Sequence, residues 1–224
     1  MFVAVDLLER VRAARRELEE TGPRPPRSDG DFERVSIPNA DSDVLRDLLL
    51  DERATTVLEV GLAYGASALA IAEALVAQGS PAARHVIVDA FQDHFGNVGW
   101  NAIETAGLTG ICSLVRRRSQ FALPQLIEDG MDFDAAFVDG SHVFHNVFVD
   151  LVFIRELVHP GGLVILDDVA LPSVATAVRY FELNAGWRSH PIDARTRLRA
   201  FRLPDPPVEP RFDEFTPFAI EMSD

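Results

Sequence analysis

The chain has no lysine: all 21 of its basic residues are arginine. That removes Schiff-base chemistry and any lysine general base, so proton transfer near neutral pH falls to histidine or a carboxylate. Cysteine is almost absent as well. A single one, Cys112, excludes an internal disulfide and a cysteine-based zinc site. No apolar run reaches the roughly 18 residues of a membrane span. No internal repeat is visible. Positive charge is scarce, with 21 basic residues against 35 acidic ones and a net charge of −14. That balance argues against nucleic acid or an anionic membrane as partner. The one basic cluster, Arg116-Arg117-Arg118, reads as a solvated strand end.

What remains is an ordinary soluble composition, 47% hydrophobic and 25% charged, over 224 residues. That length suffices for one domain with a sizeable core. The first twenty residues are charged throughout, so they read as an amphipathic helix on Val3, Leu7, Val11 and Leu18, not a signal peptide. Cytoplasm is the expected location. A Pro-rich linker follows over Thr21 to Ser28, then a helix capped by Asp41 or Ser42 and running to about Asp51.

From there strand and helix patterns alternate. Strands are expected at 56–61, 84–89, 112–117, 133–138 and 161–167, with helices at 66–78, 97–107, 119–129 and 143–158 between them. A helix near 172–184 and two weaker strands near 187–192 and 197–203 complete the pattern. Runs such as Val86-Ile-Val88 and Leu163-Val-Ile-Leu166 are apolar on both faces, as in a covered parallel sheet. The fold class is therefore α/β: a Rossmann-like, doubly wound, mostly parallel seven-stranded sheet with an N-terminal helical cap. The cap is residues 1–52, the sheet domain 53–203, and 204–224 an irregular tail. Phe212, Phe215 and Phe218 in that tail leave three uses open: a pocket wall, core packing, or contact with a second copy in a homodimer.

The segment Val57 to Ser67 joins strand to helix through Gly61 and Gly65. Glycines there let the backbone bend and let a ligand lie against it. The start of the next helix offers free N–H groups to a carboxylate. The two glycines stand four apart, and Ala63 occupies the place of the second glycine of a dinucleotide fingerprint. Glu59 beside the turn would repel a pyrophosphate but suits an ammonium. A ligand with an ammonium, a carboxylate and a ribose fits S-adenosylmethionine. A tight turn with no ligand is the alternative.

Acids recur where the strands end. Asp89 closes the second strand, placed to accept bonds from ribose hydroxyls. Asp139 closes the fourth and Asp167-Asp168 the fifth. Any one of them could instead cap a helix or turn. Together the last three would repel unless something positive sits among them, and three oxygen ligands suggest Mg²⁺ or a similar divalent cation.

These motifs resemble class I S-adenosylmethionine-dependent methyltransferases over residues 35–203, and within them the metal-dependent small-molecule O-methyltransferases of the catechol type. Glu59-x-Gly61-x-x-x-Gly65-x-Ser67 matches the first motif of that family, which implies a contact from Ser67 to the methionine carboxylate. The resemblance also implies that Asp89 holds the ribose, that Ser119 and Gln120 border the adenine, and that Ser36 and Ile37 border the methionine end. Asp139, Asp167 and Asp168 fall on the family's metal ligands. The catechol enzymes carry Asn where this chain has Asp168, and a lysine where it has His142. The macrolide-sugar O-methyltransferases match better there, with an acid, His at +3, and a consecutive acidic pair.

The resulting expectation is a Mg²⁺-dependent methyltransferase acting on a small-molecule hydroxyl. The cofactor lies across Gly61–Gly65 with its methyl toward Asp139, and His142 takes the proton. The bland alternative for His142 is an exposed residue at a helix start. His145, one helical turn on, either supports it from behind or is simply exposed, and His85, His94, His159 and His190 read as structural. Rival readings are a metal-independent methyltransferase with a carboxylate or amine acceptor and a non-catalytic S-adenosylmethionine-binding protein. NAD-linked oxidoreduction is more distant, given the glycine spacing.

Overall fold

The computed structural model describes residues 2–24, 31–192 and 195–218, with side chains of the first helix from residue 6 onward. The Pro-rich linker from residue 25, the last six residues of the tail and the Val3 side chain lie outside the described residues. Chain order begins with α1 (Phe2–Thr21), α2 (Asp31–Val35) and α3 (Asn39–Asp51). The alternating part runs β1 (Thr56–Val60), α4 (Ala66–Gln78), β2 (Arg84–Val88), α5 (Val98–Thr105), β3 (Cys112–Val115), α6 (Ser119–Glu128), β4 (Phe133–Val138), α7 (Phe144–Leu157) and β5 (Val158–Leu166). It ends with α8 (Pro172–Asn184), β6 (Arg188–His190) and β7 (Arg199–Arg202).

The seven strands form one sheet in the order β3-β2-β1-β4-β5-β7-β6. The first five are parallel; β7 runs antiparallel to both β5 and β6. Side chains alternate between the faces of each strand. On one face Leu58, Val86, Val138 and Val164 pack with Leu123, Leu151, Ile154 and Phe181 of α6, α7 and α8. On the other, Val57, Phe137 and Ile165 pack with Leu45, Leu49, Ile71 and Leu75 of α3 and α4. Helices on both faces are why the central strands carry apolar residues on both sides.

Three local expectations fail. Neither Asp41 nor Ser42 caps α3: the cap position is Pro38, and both residues are buried in the first turn. Asp41 is drawn inward because its Oδ1 accepts the Thr196 hydroxyl at 2.5 Å. Strand β5 starts at Val158, ahead of the expected 161, because a shift in register between Phe133 and Ala135 lets Val158 pair with Phe133. The short helix α2 has no counterpart in the periodicity, being only five residues long.

The tail from Pro204 to Phe218 forms no helix or strand. Phe212 is fully exposed, and Phe215 sits 6.4 Å from the Tyr180 ring on α8.

Helix α1 lies on α4, tied by charge. Glu73, on α4, accepts Arg12 Nε at 3.0 Å and also pairs with Arg15. Burial raises the Glu73 carboxyl pKa, but the bonds from Arg15 and Arg12 outweigh it and hold the group below its ordinary 4.5. Its stabilisation is therefore complete above that value and lost as pH falls through the lower folded value. Glu73→Gln should cost about 1–3 kcal/mol at pH 7. Urea melts at pH 7 and pH 3.5 should show the gap between wild type and variant narrowing at the lower pH.

Candidate active site

Parallel pairing in step puts the ends of neighbouring strands in one row. Val60 is level with Val88 and Val138, Val138 with Leu166, and Val88 with Val115. The next residue of each strand continues the ladder: Gly61 N–H donates to Val88, Asp89 to Val115, Asp139 to Val60 and Asp167 to Val138. Gly61, Asp89, Asp139 and Asp167 therefore share one line along the carboxyl edge of the sheet, where open α/β sheets bind ligands.

At Gly61 no side chain is possible. Its φ is +99°, and a Cβ would lie 2.3 Å from the Asp139 carbonyl oxygen. The turn continues through Ala63 with φ 43°, a left-handed conformation that strains a residue with a Cβ. Asp89 holds it in place. Its Oδ2 accepts Leu62 N–H at 2.9 Å, Ala63 N–H at 3.1 Å and Gln92 Nε2 at 3.0 Å. Its Oδ1 accepts Phe91 N–H at 2.6 Å. The carboxylate expected to face a ribose thus also clamps the glycine turn, and Oδ1 keeps the spare acceptor capacity.

Over this row lies a cleft of about 670 Å³. It is lined by Gly61, Asp89, Ser119, Gln120, Asp139, His142 and Asp168, all singled out from the sequence. A narrow recess beside it is lined by Ser36, Ile37, Gly65 and Ser67, and shares Val35, Gly61, Ala63 and Asp139 with the cleft. Two of the residues are placed elsewhere. Glu59 is fully buried and lines neither space. Its position on β1 points it into the sheet's helical layer, where Oε1 accepts the Ser67 hydroxyl at 2.5 Å. Asp167 is also out of the cleft: Oδ1 accepts the Asp168 N–H at 2.8 Å, and Oδ2 accepts Arg197 at 2.5 Å.

One end of the cleft gathers Asp139, His142 and Asp168, whose ligand atoms lie within 4.8 Å of one another. His142 Nε2 is 3.6 Å from Asp139 Oδ1 and 3.2 Å from Asp168 Oδ2. Burial pushes the Asp139 carboxyl up to about 6, and the charges of Asp167 and Asp168 add to this against the His142 bond. The hydrogen bond to Asp139 raises His142 above its ordinary 6.5, with burial opposing. Among the described residues, the arginine paired with one of these three acids is Arg197, on Asp167. The residual negative charge and the carboxylate donors fit a divalent metal ion. The expected set of Asp139, Asp167 and Asp168 is not the set that converges, because Arg197 has claimed Asp167.

The family profile described as "Methyltransferase domain" matches residues 58–169, from β1 past the end of β5. The chain belongs to that family. A protein of Arabidopsis thaliana provisionally named a caffeoyl-CoA O-methyltransferase is 27% identical to this methyltransferase-family chain over 139 residues. The match takes in 62% of the chain but only 57% of that relative's length. Solved structures share the fold. The O-methyltransferase TomG of Streptomyces achromogenes, in complex with S-adenosylmethionine, is 21% identical with a TM-score of 0.63, covering 87% of this chain and 89% of that one. An O-methyltransferase of Bacillus cereus, in complex with S-adenosylhomocysteine, is 18% identical with a TM-score of 0.61, covering 91% and 90%.

Several lining residues of the methyltransferase cleft were not singled out from the sequence, among them Arg34, Phe91, Asn146 and Arg197. Arg117 and Arg118, expected as a solvated strand end, are exposed but also border the cleft beside Ser119. His94 lines it too, whereas His145 stays exposed. Arg197 is one of three alternating arginines, Arg195, Arg197 and Arg199, at the start of an expected weak strand, so nothing in the sequence set it apart from its neighbours.

Gly61→Ala should lower stability by about 2 kcal/mol or more, because both the φ and the Asp139 carbonyl oppose a Cβ. Gly79→Ala is the control, with φ +64° but nothing within 4 Å of the added Cβ. It should cost less in a side-by-side thermal melt.

Proposed function

We propose that this chain transfers a methyl group from S-adenosylmethionine to a hydroxyl oxygen of a small molecule. The observation that carries the reading is the continuity of the cleft. One space runs from the glycine turn and Asp89 to Ser119 and Gln120, and opens at its other side on Asp139, His142 and Asp168. Membership of the methyltransferase family supports the cofactor, as do the fold-mates solved with it or its product. The O-methyltransferase name of the Arabidopsis relative supports oxygen as the acceptor atom. The net charge of −14 disfavours a nucleic-acid acceptor.

In this reading the recess at Ser36 and Ile37 takes the amino-acid end of the cofactor, Asp89 the ribose, and Ser119 and Gln120 the adenine. The sulfonium methyl points toward Asp139. His142 accepts the acceptor's hydroxyl proton on Nε2, and the oxygen attacks the methyl carbon. The C–S bond breaks with its electron pair left on sulfur, giving a neutral thioether and a methyl ether. Positioning in a cleft with limited water is the chain's main contribution. Asp139 and Asp168 would hold a divalent cation such as Mg²⁺, which would lower the pKa of the acceptor hydroxyl.

One contact favours a second reading, without metal. Arg197 lines the cleft and pairs with Asp167, so a positive charge already stands among the acids. Chelation separates the two. With label from S-adenosylmethionine and a panel of small phenols and hydroxylated sugars, EDTA should abolish transfer and Mg²⁺ restore it. Full transfer after exhaustive chelation establishes the metal-independent reading.

His142→Ala should lower kcat by about 10²–10⁴ while cofactor affinity stays near that of wild type. A neutral imidazole is needed to take the proton, so turnover should rise with pH through a midpoint above the ordinary 6.5 of histidine. A flat profile from pH 5.5 to 8.5, with His142→Ala fully active, would remove His142 from the reaction.

A further inference from the structure

The cleft along the carboxyl edge is charged unlike the rest of the chain. The protein carries −14, yet four arginines line the cleft against the three acids Asp89, Asp139 and Asp168. The cofactor of the reading above does not account for them. S-adenosylmethionine holds one sulfonium, one ammonium and one carboxylate, so it brings a net positive charge of its own and gains nothing from more of that sign. Guanidinium groups match an anionic oxygen group instead.

Two of the four, Arg117 and Arg118, are exposed and stand beside Ser119. Arg197 differs, because buried acids anchor it. Its Nη2 donates to Asp167 Oδ2 at 2.5 Å, and its Nε lies 3.8 Å from Asp41 Oδ2. Both acids are buried. Among the described residues Nη1 makes no hydrogen bond. Burial works against the Arg197 charge, but the bond and charge of Asp167 outweigh it, and the charges of Asp168 and Asp139 add to this. A guanidinium so held needs little further ordering to bind a ligand. The fourth, Arg34, reaches the cleft from α2. The next residue, Val35, borders both cleft and recess, as Asp139 does. Arg34 is mostly exposed, with Nη2 3.1 Å from Asp31 Oδ1. Asp139 and Asp168 oppose an anion, but both share His142, and the cofactor adds its sulfonium.

We propose that the methyl acceptor carries a carboxylate or phosphate beside its hydroxyl, that Arg197 binds this group through Nη1, and that Arg34 adds charge from the cap. Arg197 is then a specificity residue: it holds the acceptor and takes no part in moving the proton or the methyl group. The inference rests on the methyl-transfer reading above and narrows its acceptor to hydroxy acids and hydroxylated phosphates.

Calorimetric titration of the S-adenosylhomocysteine complex, with Mg²⁺ present, tests it on two matched pairs. One is protocatechuate and its methyl ester; the other is para-hydroxyphenyl phosphate and its dimethyl ester. At low salt wild type should bind at least one acid about tenfold or more tightly than its ester, and the pair that shows the gap identifies the anion. Added salt should narrow the gap, since Arg197 is partly exposed. Arg197→Gln should bring the ratio of acid to ester close to one. Arg197→Lys keeps the charge without the planar fork and should fall between. Arg34→Gln, which touches no buried acid, should lower the ratio by a smaller factor. A variant that only loosens the fold by releasing Asp167 would weaken acid and ester alike and leave the ratio where it was. The proposal is overturned if wild type binds acid and ester equally, if it binds neither, or if the Arg197 variants keep the wild-type ratio. In each of those cases S-adenosylhomocysteine still binds and the functional reading stands. A wild type that does not bind S-adenosylhomocysteine overturns that reading and this inference with it.

Discussion

The in-step register of the parallel strands is the constraint on which the site depends. Because Val60, Val88 and Val138 lie level, the residues that follow them lie level too. A glycine, an acid and a second acid are thereby delivered to one edge from segments far apart in sequence. The same closeness forbids a Cβ at Gly61, whose neighbour is the Asp139 carbonyl. Backbone pairing, not side-chain recognition, therefore sets the distance between the glycine turn and the Asp139 cluster. A shift of one residue in β4 would turn Asp139 to the other face of the sheet.

Charge organises the rest. The chain has only arginine to balance its acids, and at the edge of the sheet it uses Arg197 to neutralise Asp167. That leaves Asp139 and Asp168 to share His142. The two consecutive acids after β5 thus have different employments. Asp167 is buried and structural toward the β6–β7 connection; Asp168 is partly exposed and turned to the cleft. A similar division separates Glu59 from Asp89. One is sealed beneath the turn, and the other clamps the turn from the cleft side.

Long periodic segments were legible in the sequence. Helices α4 and α8 fall on their expected limits, and β4 does too, since apolar runs bounded by glycine or proline leave little choice. That the first five strands are parallel followed from the alternation of strands and helices; their order in the sheet was not read. The cleft residues at strand ends were legible because a strand's last residue is fixed by where its apolar run stops. What could not be read was side-chain direction and pairing. Glu59 precedes the glycine turn by two residues, yet the two-residue period of β1 points it into the helical layer and not at the cleft. Asp167 lost its expected place to an arginine thirty residues away in sequence. Asp41 and Ser42 have the composition of caps, but the chain enters α3 through Pro38, and burial against Thr196 uses the Asp41 carboxylate instead.

A crystal structure with S-adenosylhomocysteine is the most direct measurement of the central claim, that one cleft along this edge holds the cofactor beside the Asp139, His142 and Asp168 cluster. The account expects the amino-acid end in the recess between Ser36 and Ser67, the ribose at Asp89, and the adenine over Ser119 and Gln120. The sulfur should face Asp139. A ligand bound away from the Gly61–Gly65 turn, or one whose sulfur points away from Asp139 and His142, would contradict it.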